Sequence, residues 1–505
     1  MQNKIKNIVI VGGGTAGWMT AAALSRAMGT QLYNITLVES EQIGTVGVGE
    51  ATIPLIKLFN NMLGLDEDEF VRETKATFKL GIEFKDWKTR NHSYFHPFGN
   101  IGVNMKGVNF MHFWLRWRAQ GGKLNFSAFN AESAAAEANR FMRVGAQPGP
   151  KLLPDINYAY HFDATLYAAY LRRYAEQRGT QRIEGKIVNV TQHPDSGYIE
   201  SLQLDNGQTV AGDLFIDCSG FKGLLIEEVY KTGYTDWSHW LPVNSAAAVP
   251  SENTGDIFPY TVTTAREEGW QWRIPLQHRT GNGYVYCDHY ISDDEAASKL
   301  LNNLDGKPLA EPRTLKFTTG IRNKFWVKNC VAIGLSSGFL EPLESTSIHL
   351  IQRSIFQLLE LFPKNEISDL LSNRFNHEMQ TEYIETKDFL VAHYAVTERE
   401  DTPFWRYVKN MEIPDSLKEK LEMFRLRGEV MPDKNAFFNE VSWFAVLFGQ
   451  GLRPEGHHPV ADTLSEDELR TRLNKIRAGV QKRVEMMPSH TTYLRSGKLK
   501  APDLS

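Results

Sequence analysis

The chain has 505 residues, 42% of them hydrophobic and 23% charged, with a formal net charge of −4. That is an ordinary globular composition, with room for about three domains at ~150 residues each, and nothing in its charge suits nucleic acid or an anionic membrane surface. Three widely spaced cysteines without a C-x-x-C pair argue against a disulfide framework and a zinc site, and the lack of a leader or of an apolar run near ~18 residues leads us to expect a soluble, cytoplasmic protein.

In chain order, residues 7–11 read as a short buried strand, followed by Gly12-Gly13-Gly14-Thr15-Ala16-Gly17, an Ala-rich helix over 18–28, and an apolar strand over 35–38 closed by Glu39. This βαβ start implies a parallel sheet with a right-handed crossover. Residues 66–79 read as a helix opened by a capping box of Asp66 and Glu69 and ended by Gly81. Residues 88–160 read as irregular loops with short helices, and 164–177 as a helix. Alternation over 181–213 around Asp205-Asn206-Gly207 signals a β-meander. Residues 213–217 return to a buried strand, 240–325 read as a second sheet, and 329–333 as another buried strand. From 348 to 430 apolar residues recur at helical spacing, broken by Pro363, Pro403 and Pro414. A last helix is expected over 465–486, and the final 10–15 residues are expected to be disordered.

The spacing Gly12-x-Gly14-x-x-Gly17 allows a tight turn and close approach of the backbone to a pyrophosphate, which the helix N-terminus stabilises. Glu39, about 20 residues on, is placed to accept hydrogen bonds from a ribose. A Gly-rich turn alone is a weak signal; turn, strand context and acid together point to a dinucleotide in a Rossmann-like α/β domain. Two later strands, Asp213 to Gly220 and Cys330 to Gly334, favour FAD over NAD, because two-domain flavoproteins return to the cofactor domain in this way.

Gly269-Trp270-Gln271-Trp272-Arg273-Ile274-Pro275 resembles the W-x-W-x-I-P motif of flavin-dependent halogenases of the tryptophan halogenase type. Taken alone, two tryptophans spaced by one are more often one face of a core strand. Phe78-Lys79-Leu80-Gly81, however, resembles the family's catalytic-lysine segment. Phe339-Leu340-Glu341-Pro342-Leu343-Glu344-Ser345-Thr346 resembles its catalytic-glutamate and halide segment, and Gly47-Val48-Gly49-Glu50-Ala51-Thr52-Ile53-Pro54 is similar to its flavin-contacting strap. The matches run in family order from about residue 8 to about residue 350.

The resemblance implies a halogenase that uses oxygen, a halide ion (bromide or chloride) and FADH2, the FADH2 supplied by a separate NADH-dependent flavin reductase. Hypohalous acid would travel to Lys79, which holds it, by hydrogen bond or as a haloamine, beside an electron-rich ring; an aromatic platform suits an indole face, and a phenol, a peptide-borne tryptophan and a larger natural product stay open beside indole and substituted indoles. Glu344 would orient Lys79 and take the ring proton. Thr346 and Ser347 would bind halide; family members specific for tryptophan carry Gly at the place of Ser347, so halide preference stays open. Flavin contacts are expected from Gly12, Gly13, Gly14, Thr15, Ala16, Gly17, Glu39, Ala51, Leu335 and Ile348. His96, Pro97 and Phe98 resemble the substrate-stacking segment, and Trp270 and Trp272 would wall the substrate off from the flavin. The clamp that holds the amino and carboxylate groups of free tryptophan has no match here; the comparable stretch is Phe437 to Phe444. The expected architecture is α/β: residues 1–350 a Rossmann-like FAD-binding core with an inserted second sheet (about 181–212 and 240–325), and 351–505 a mainly helical region at the substrate pocket. A homodimer is expected. An aromatic hydroxylase and a non-catalytic flavin-binding protein are the alternatives.

Overall fold

The computed structural model describes residues 5–42, 49–143, 154–432 and 436–496. The chain forms two compact units, each assembled from three stretches: Met1–Ala76, Phe162–Asn244 and Lys316–Ile384 in the first, and Thr77–His161, Ser245–Leu315 and Glu385–Ser505 in the second.

The first unit is built on a six-stranded sheet in the order Trp326–Val327, Cys330–Ala332, Leu214–Asp217, Asn7–Val11, Asn34–Glu39, Gln181–Glu184. All its pairs are parallel except the first. Its central strands are continuous apolar runs, as strands covered on both faces must be. The helix Thr15–Ala27 packs against the helices Ala164–Glu176 and Ser347–Glu360. A separate three-stranded antiparallel sheet (Ile187–Gln192, Ile199–Leu204, Thr209–Ala211) buries Leu202, Leu204 and Val210 with Val9, Val11 and Phe215. Each such apolar side chain contributes about 1.5–3 kcal/mol by leaving water.

The meander expected over 181–213 starts later: Gln181–Glu184 is the edge of the parallel sheet, tied by Arg182 to Glu39 at 2.5 Å, and the chain leaves it at Gly185. The helix expected over 66–79 covers only Glu67–Glu73. Asp66 does cap it, accepting from the Glu69 N–H at 2.8 Å. Lys75 then adopts a left-handed φ of 52°, which ends the helix, and Thr77–Lys79 is a strand.

The second unit is organised by a seven-stranded sheet in the order Arg313–Lys316, Ser245–Ser251, Thr280–Tyr286, Gly269–Pro275, Thr261–Ala265, Gly81–Lys85, Ser93–Pro97. The last strand falls where loops were expected; Tyr94 and His96 are buried and Ser93 is exposed, the alternation of a half-buried strand. Thr77–Lys79 pairs antiparallel with residues 159–161. Trp87 lies at the centre of an aromatic core with Phe84, Trp270, Tyr394 and Trp405 around it. The C-terminal helices include Pro403–Asn410, Asp415–Arg427, Glu440–Gly449 and Glu466–Glu485, the last opened by a capping box of Ser465 and Glu468. Among the described residues no helix is long and apolar enough to cross a membrane.

Candidate active site

In the first unit the glycine fingerprint is shaped by what cannot fit beside it. Gly12 has φ 108°, and a Cβ there would stand 2.4 Å from the Cys218 carbonyl oxygen. A Cβ on Gly17 would stand 1.9 Å from the Gly12 carbonyl oxygen, so strand and helix approach as closely as the motif requires. A Cβ on Gly13 would overlap the Glu39 carboxylate, whereas the Cβ direction of Gly14 opens onto empty space. Gly14 caps the helix that begins at Thr15 and Ala16. Both returning strands meet this turn: Leu214–Asp217 lies beside Asn7–Val11, and the Cβ direction of Gly334 points at the Ala16 methyl. Ala51 and Ile348 are buried, and Leu335 is half-buried. Gly47 and Val48 of the expected strap lie outside the described residues.

Also in the first unit, Glu344 is buried at the end of a 3-10 turn, Pro342–Glu344. Ser345 follows with φ 60°, a left-handed conformation that a serine adopts only under constraint from its surroundings. Thr346 then caps the helix Ser347–Glu360. The Thr346 hydroxyl is buried and has no hydrogen-bond partner among the described residues. An orphaned hydroxyl at the positive end of a helix dipole suits a monovalent anion.

In the second unit Lys79 is fully buried, with Nζ 5.0 Å from the centroid of the Phe98 ring. A surface lysine at a helix end is therefore not what the sequence encodes. His96 is buried, 5.7 Å edge-on from Phe389. Phe389 stacks on Phe438 at 3.8 Å and meets Trp443 edge-on at 4.9 Å. Pro97 is buried and Phe98 half-buried. Trp270 and Trp272 lie on one face of their strand, 6.0 Å apart, and Trp272 occupies the space above Gly283, where any Cβ would collide with its ring. The Trp272 indole N–H is buried without a partner among the described residues.

The tryptophan halogenase family model matches residues 7–466. The chain belongs to the tryptophan halogenase family. It is similar to the tryptophan 7-halogenase of Lentzea aerocolonigenes, 35% identical over 98% of this chain and 99% of the relative. Among solved structures it resembles a flavin-dependent halogenase from Xanthomonas campestris (47% identity, TM-score 0.94, 97% of this chain and 98% of the other). It also resembles one from Brevundimonas sp. BAL3 (44% identity, TM-score 0.93, 97% and 99%). The likeness thus runs through the C-terminal third, where the sequence offered no motif. The protein is a flavin-dependent halogenase, an enzyme that works with FADH2, halide and oxygen.

The residues of this halogenase fit those groups. The open side of Gly14 and the Gly12–Gly17 approach leave backbone accessible to a pyrophosphate, and Thr346 offers an uncommitted donor to halide. Glu39 already accepts from Arg182, which fixes its carboxylate against Gly13.

Several residues escaped the sequence reading. Glu132 is 3% exposed and lies against Gly99, whose Cβ would stand 2.0 Å from its Oε1. It accepts from the Asn157 backbone N–H at 2.7 Å and from Asn130 Nδ2 at 3.0 Å. Asn157 and Asn130 in turn donate to the carbonyls of Phe98 and Asn100, so this cluster holds the loop that carries Phe98. Burial drives the Glu132 carboxyl up to about 7, against the pull of its hydrogen bonds and of Arg483. Phe389 and His161 were also missed; helical spacing presents Phe389 as core, and no local pattern marks a buried histidine.

Proposed function

We propose that the enzyme halogenates indole or a substituted indole by hypohalous acid held at Lys79, with Glu344 receiving the ring proton. The burial of Lys79 beside the Phe98 ring carries this reading. Bound FADH2 and oxygen supply the oxidising power that raises halide to the hypohalous level. Gly12, Gly13, Gly14, Thr15, Ala16, Gly17, Glu39, Ala51, Leu335 and Ile348 hold the flavin, and Thr346 and Ser347 hold the halide. Lys79 donates an N–H to the oxygen of the hypohalous acid. The carbon–halogen bond forms as the halogen–oxygen bond breaks, and the oxygen leaves as water. The Glu344 carboxylate takes the proton from the ring carbon, and proton return to Lys79 closes the cycle. Trp270 and Trp272 screen the substrate from the flavin and so suppress direct hydroxylation.

His96, Pro97, Phe98, Phe389, Phe438 and Trp443 form the ring-binding surface, the last three supplied by the helical stretch 351–505. These walls are aromatic, which supports an indole without the charged groups of free tryptophan. A separate NADH-dependent reductase supplies FADH2, since the sequence carries no second nucleotide fingerprint. The three cysteines are unpaired thiols, which supports a cytoplasmic setting.

The test is incubation with FAD, a flavin reductase, NADH, oxygen and indole, with bromide and separately chloride, read by mass spectrometry. Wild type is expected to give a halogenated indole with its isotope doublet, and Lys79→Ala and Glu344→Gln to lose it. Hydroxylated indole from wild type, or an undiminished halogenated product from Lys79→Ala, would overturn the reading.

A further inference from the structure

The second unit contains a buried hydrogen-bond relay beside the Lys79 strand. His161 lies directly opposite Thr77 in the antiparallel pair that also sets Ala159 opposite Lys79. Thr77, His161 and Thr261 are all buried, with His161 and Thr77 at 0% exposure. Thr77 Oγ1 donates to the Pro275 carbonyl at 2.7 Å. A hydroxyl has one proton, so in the 2.9 Å contact between Thr77 Oγ1 and His161 Nδ1 the histidine must donate. With the ring neutral, Nε2 is then the lone-pair nitrogen and accepts from the Thr261 hydroxyl at 2.9 Å. In the neutral ring the proton sits on Nδ1 and both nitrogens are satisfied. Burial and the nearby charge of Lys79 act together to keep it neutral.

This ring joins four backbone positions: its own strand, Thr77 in the Lys79 strand, Thr261 at the start of one sheet strand, and, through Thr77, Pro275 at the end of the Trp270–Trp272 strand. Each of those partners lies on backbone whose position fixes Lys79 or the tryptophan pair. A second cation here would repel the lysine; a purely apolar side chain would take the acceptor from the buried Thr261 hydroxyl and the donor from the Thr77 oxygen, which keeps only Pro275.

We propose that His161 is a positioning residue for the halogenation step: as one neutral donor and one acceptor it fixes the Lys79 strand against the tryptophan strand, so that hypohalous acid is captured rather than lost. The inference rests on the proposed role of Lys79.

The measurement is a partition ratio. Wild type, Lys79→Ala, His161→Gln and His161→Leu, each loaded with FAD, are run with reductase, NADH, bromide, indole and 2-chlorodimedone, a dione that scavenges free hypobromous acid. Bromoindole and brominated dione are both quantified. Wild type should favour bromoindole and Lys79→Ala the scavenger. His161→Leu should shift the ratio towards the scavenger by about ten- to a hundredfold, the scale on which small misplacement erodes capture, while total oxidised bromide stays level. His161→Gln keeps one N–H donor and one carbonyl acceptor without charge, and should restore the ratio. If His161→Leu does not fold, Thr77→Val set against Thr77→Ser tests the same bond, with only the valine leaking. A folded His161→Leu that partitions like wild type overturns the inference, as does His161→Gln leaking as badly as leucine. If wild type yields neither bromoindole nor brominated dione, the proposed function itself falls, and this inference with it.

Discussion

Replacing Glu132 by glutamine should stabilise the enzyme at alkaline pH and weaken it in acid. The carboxyl is raised from its ordinary 4.5 to about 7, first by burial, with the bonds from Asn157 and Asn130 and the charge of Arg483 opposing. A carboxyl raised in the folded state stays protonated there while the unfolded chain has already released its proton. Stability is therefore greatest below pH 4.5, falls as pH rises towards 7, and is lowest above it. Each pKa unit is worth 1.36 kcal/mol, so the ionised carboxylate costs about 3 kcal/mol above neutrality. Glutamine cannot ionise and escapes this. Its amide NH2, however, would face the Asn130 Nδ2 donor that now bonds Glu132, a loss of about 1 kcal/mol. The net expectation is a gain of about 2 kcal/mol at pH 8.5 and a loss of about 1 kcal/mol at pH 4.5, crossing near pH 5. Urea midpoints of both proteins from pH 4.5 to 8.5 measure it. Glu50 is also raised to about 7 by desolvation, so the difference between variant and wild type isolates the share of Glu132. Two curves that fall in parallel across this range would refute the argument.

Gly13→Ala should weaken FAD binding by about tenfold or more, because its methyl would overlap the Glu39 carboxylate; flavin fluorescence quenching reads it, and unchanged affinity would detach Gly13 from the cofactor. Thr346→Val deletes a hydroxyl that has no partner among the described residues, so stability should move by less than about 0.5 kcal/mol. The bromide KM should nevertheless rise about tenfold, and a halide titration of product formation in which it does not would remove Thr346 from the halide site. Burial pushes the Glu382 carboxyl up, but His349 at 2.7 Å and Arg353 at 3.1 Å more than offset it and hold it below the ordinary range. Its contribution is present above pH ~4.5 and lost as pH falls below, so Glu382→Gln should flatten the acid limb of the stability profile between pH 3 and 5. Phe389→Ala removes the stack on Phe438 and the edge contact with Trp443 and should cost about 3–5 kcal/mol, seen as an earlier denaturant midpoint.

The glycine turn was legible because its requirement is local: each glycine answers to a neighbour within the βαβ unit or on a strand recognisable as its continuation. The strand that carries Lys79 was not, although the motif around the lysine was. The helix there ends at a left-handed lysine, Lys75, where glycine or asparagine is the usual signal, so nothing in the composition announced the break. Ser93–Pro97 was passed over because its proline and its aromatic, Asn-rich surroundings resemble a loop. Its proline sits on the sheet edge, where the missing N–H costs nothing. Glu132, His161 and Phe389 draw their meaning from partners such as Asn157, Thr261 and Phe438, and separations of 25 to 100 residues leave no periodicity to read.

The interleaving of the two units has a consequence for how such an enzyme can change. Six alternating stretches make five crossings from one unit to the other. Lys79 is the third residue after the first crossing and His161 the last before the second. No single cut releases either unit whole, and exchanging the second unit for that of a relative would need a join at every crossing, one of them almost on the lysine. Diversification by shuffling whole modules is disfavoured by this interleaving. Side-chain and loop changes around a fixed thread are the simpler route to new substrates, and refolding must close long loops before either core is complete.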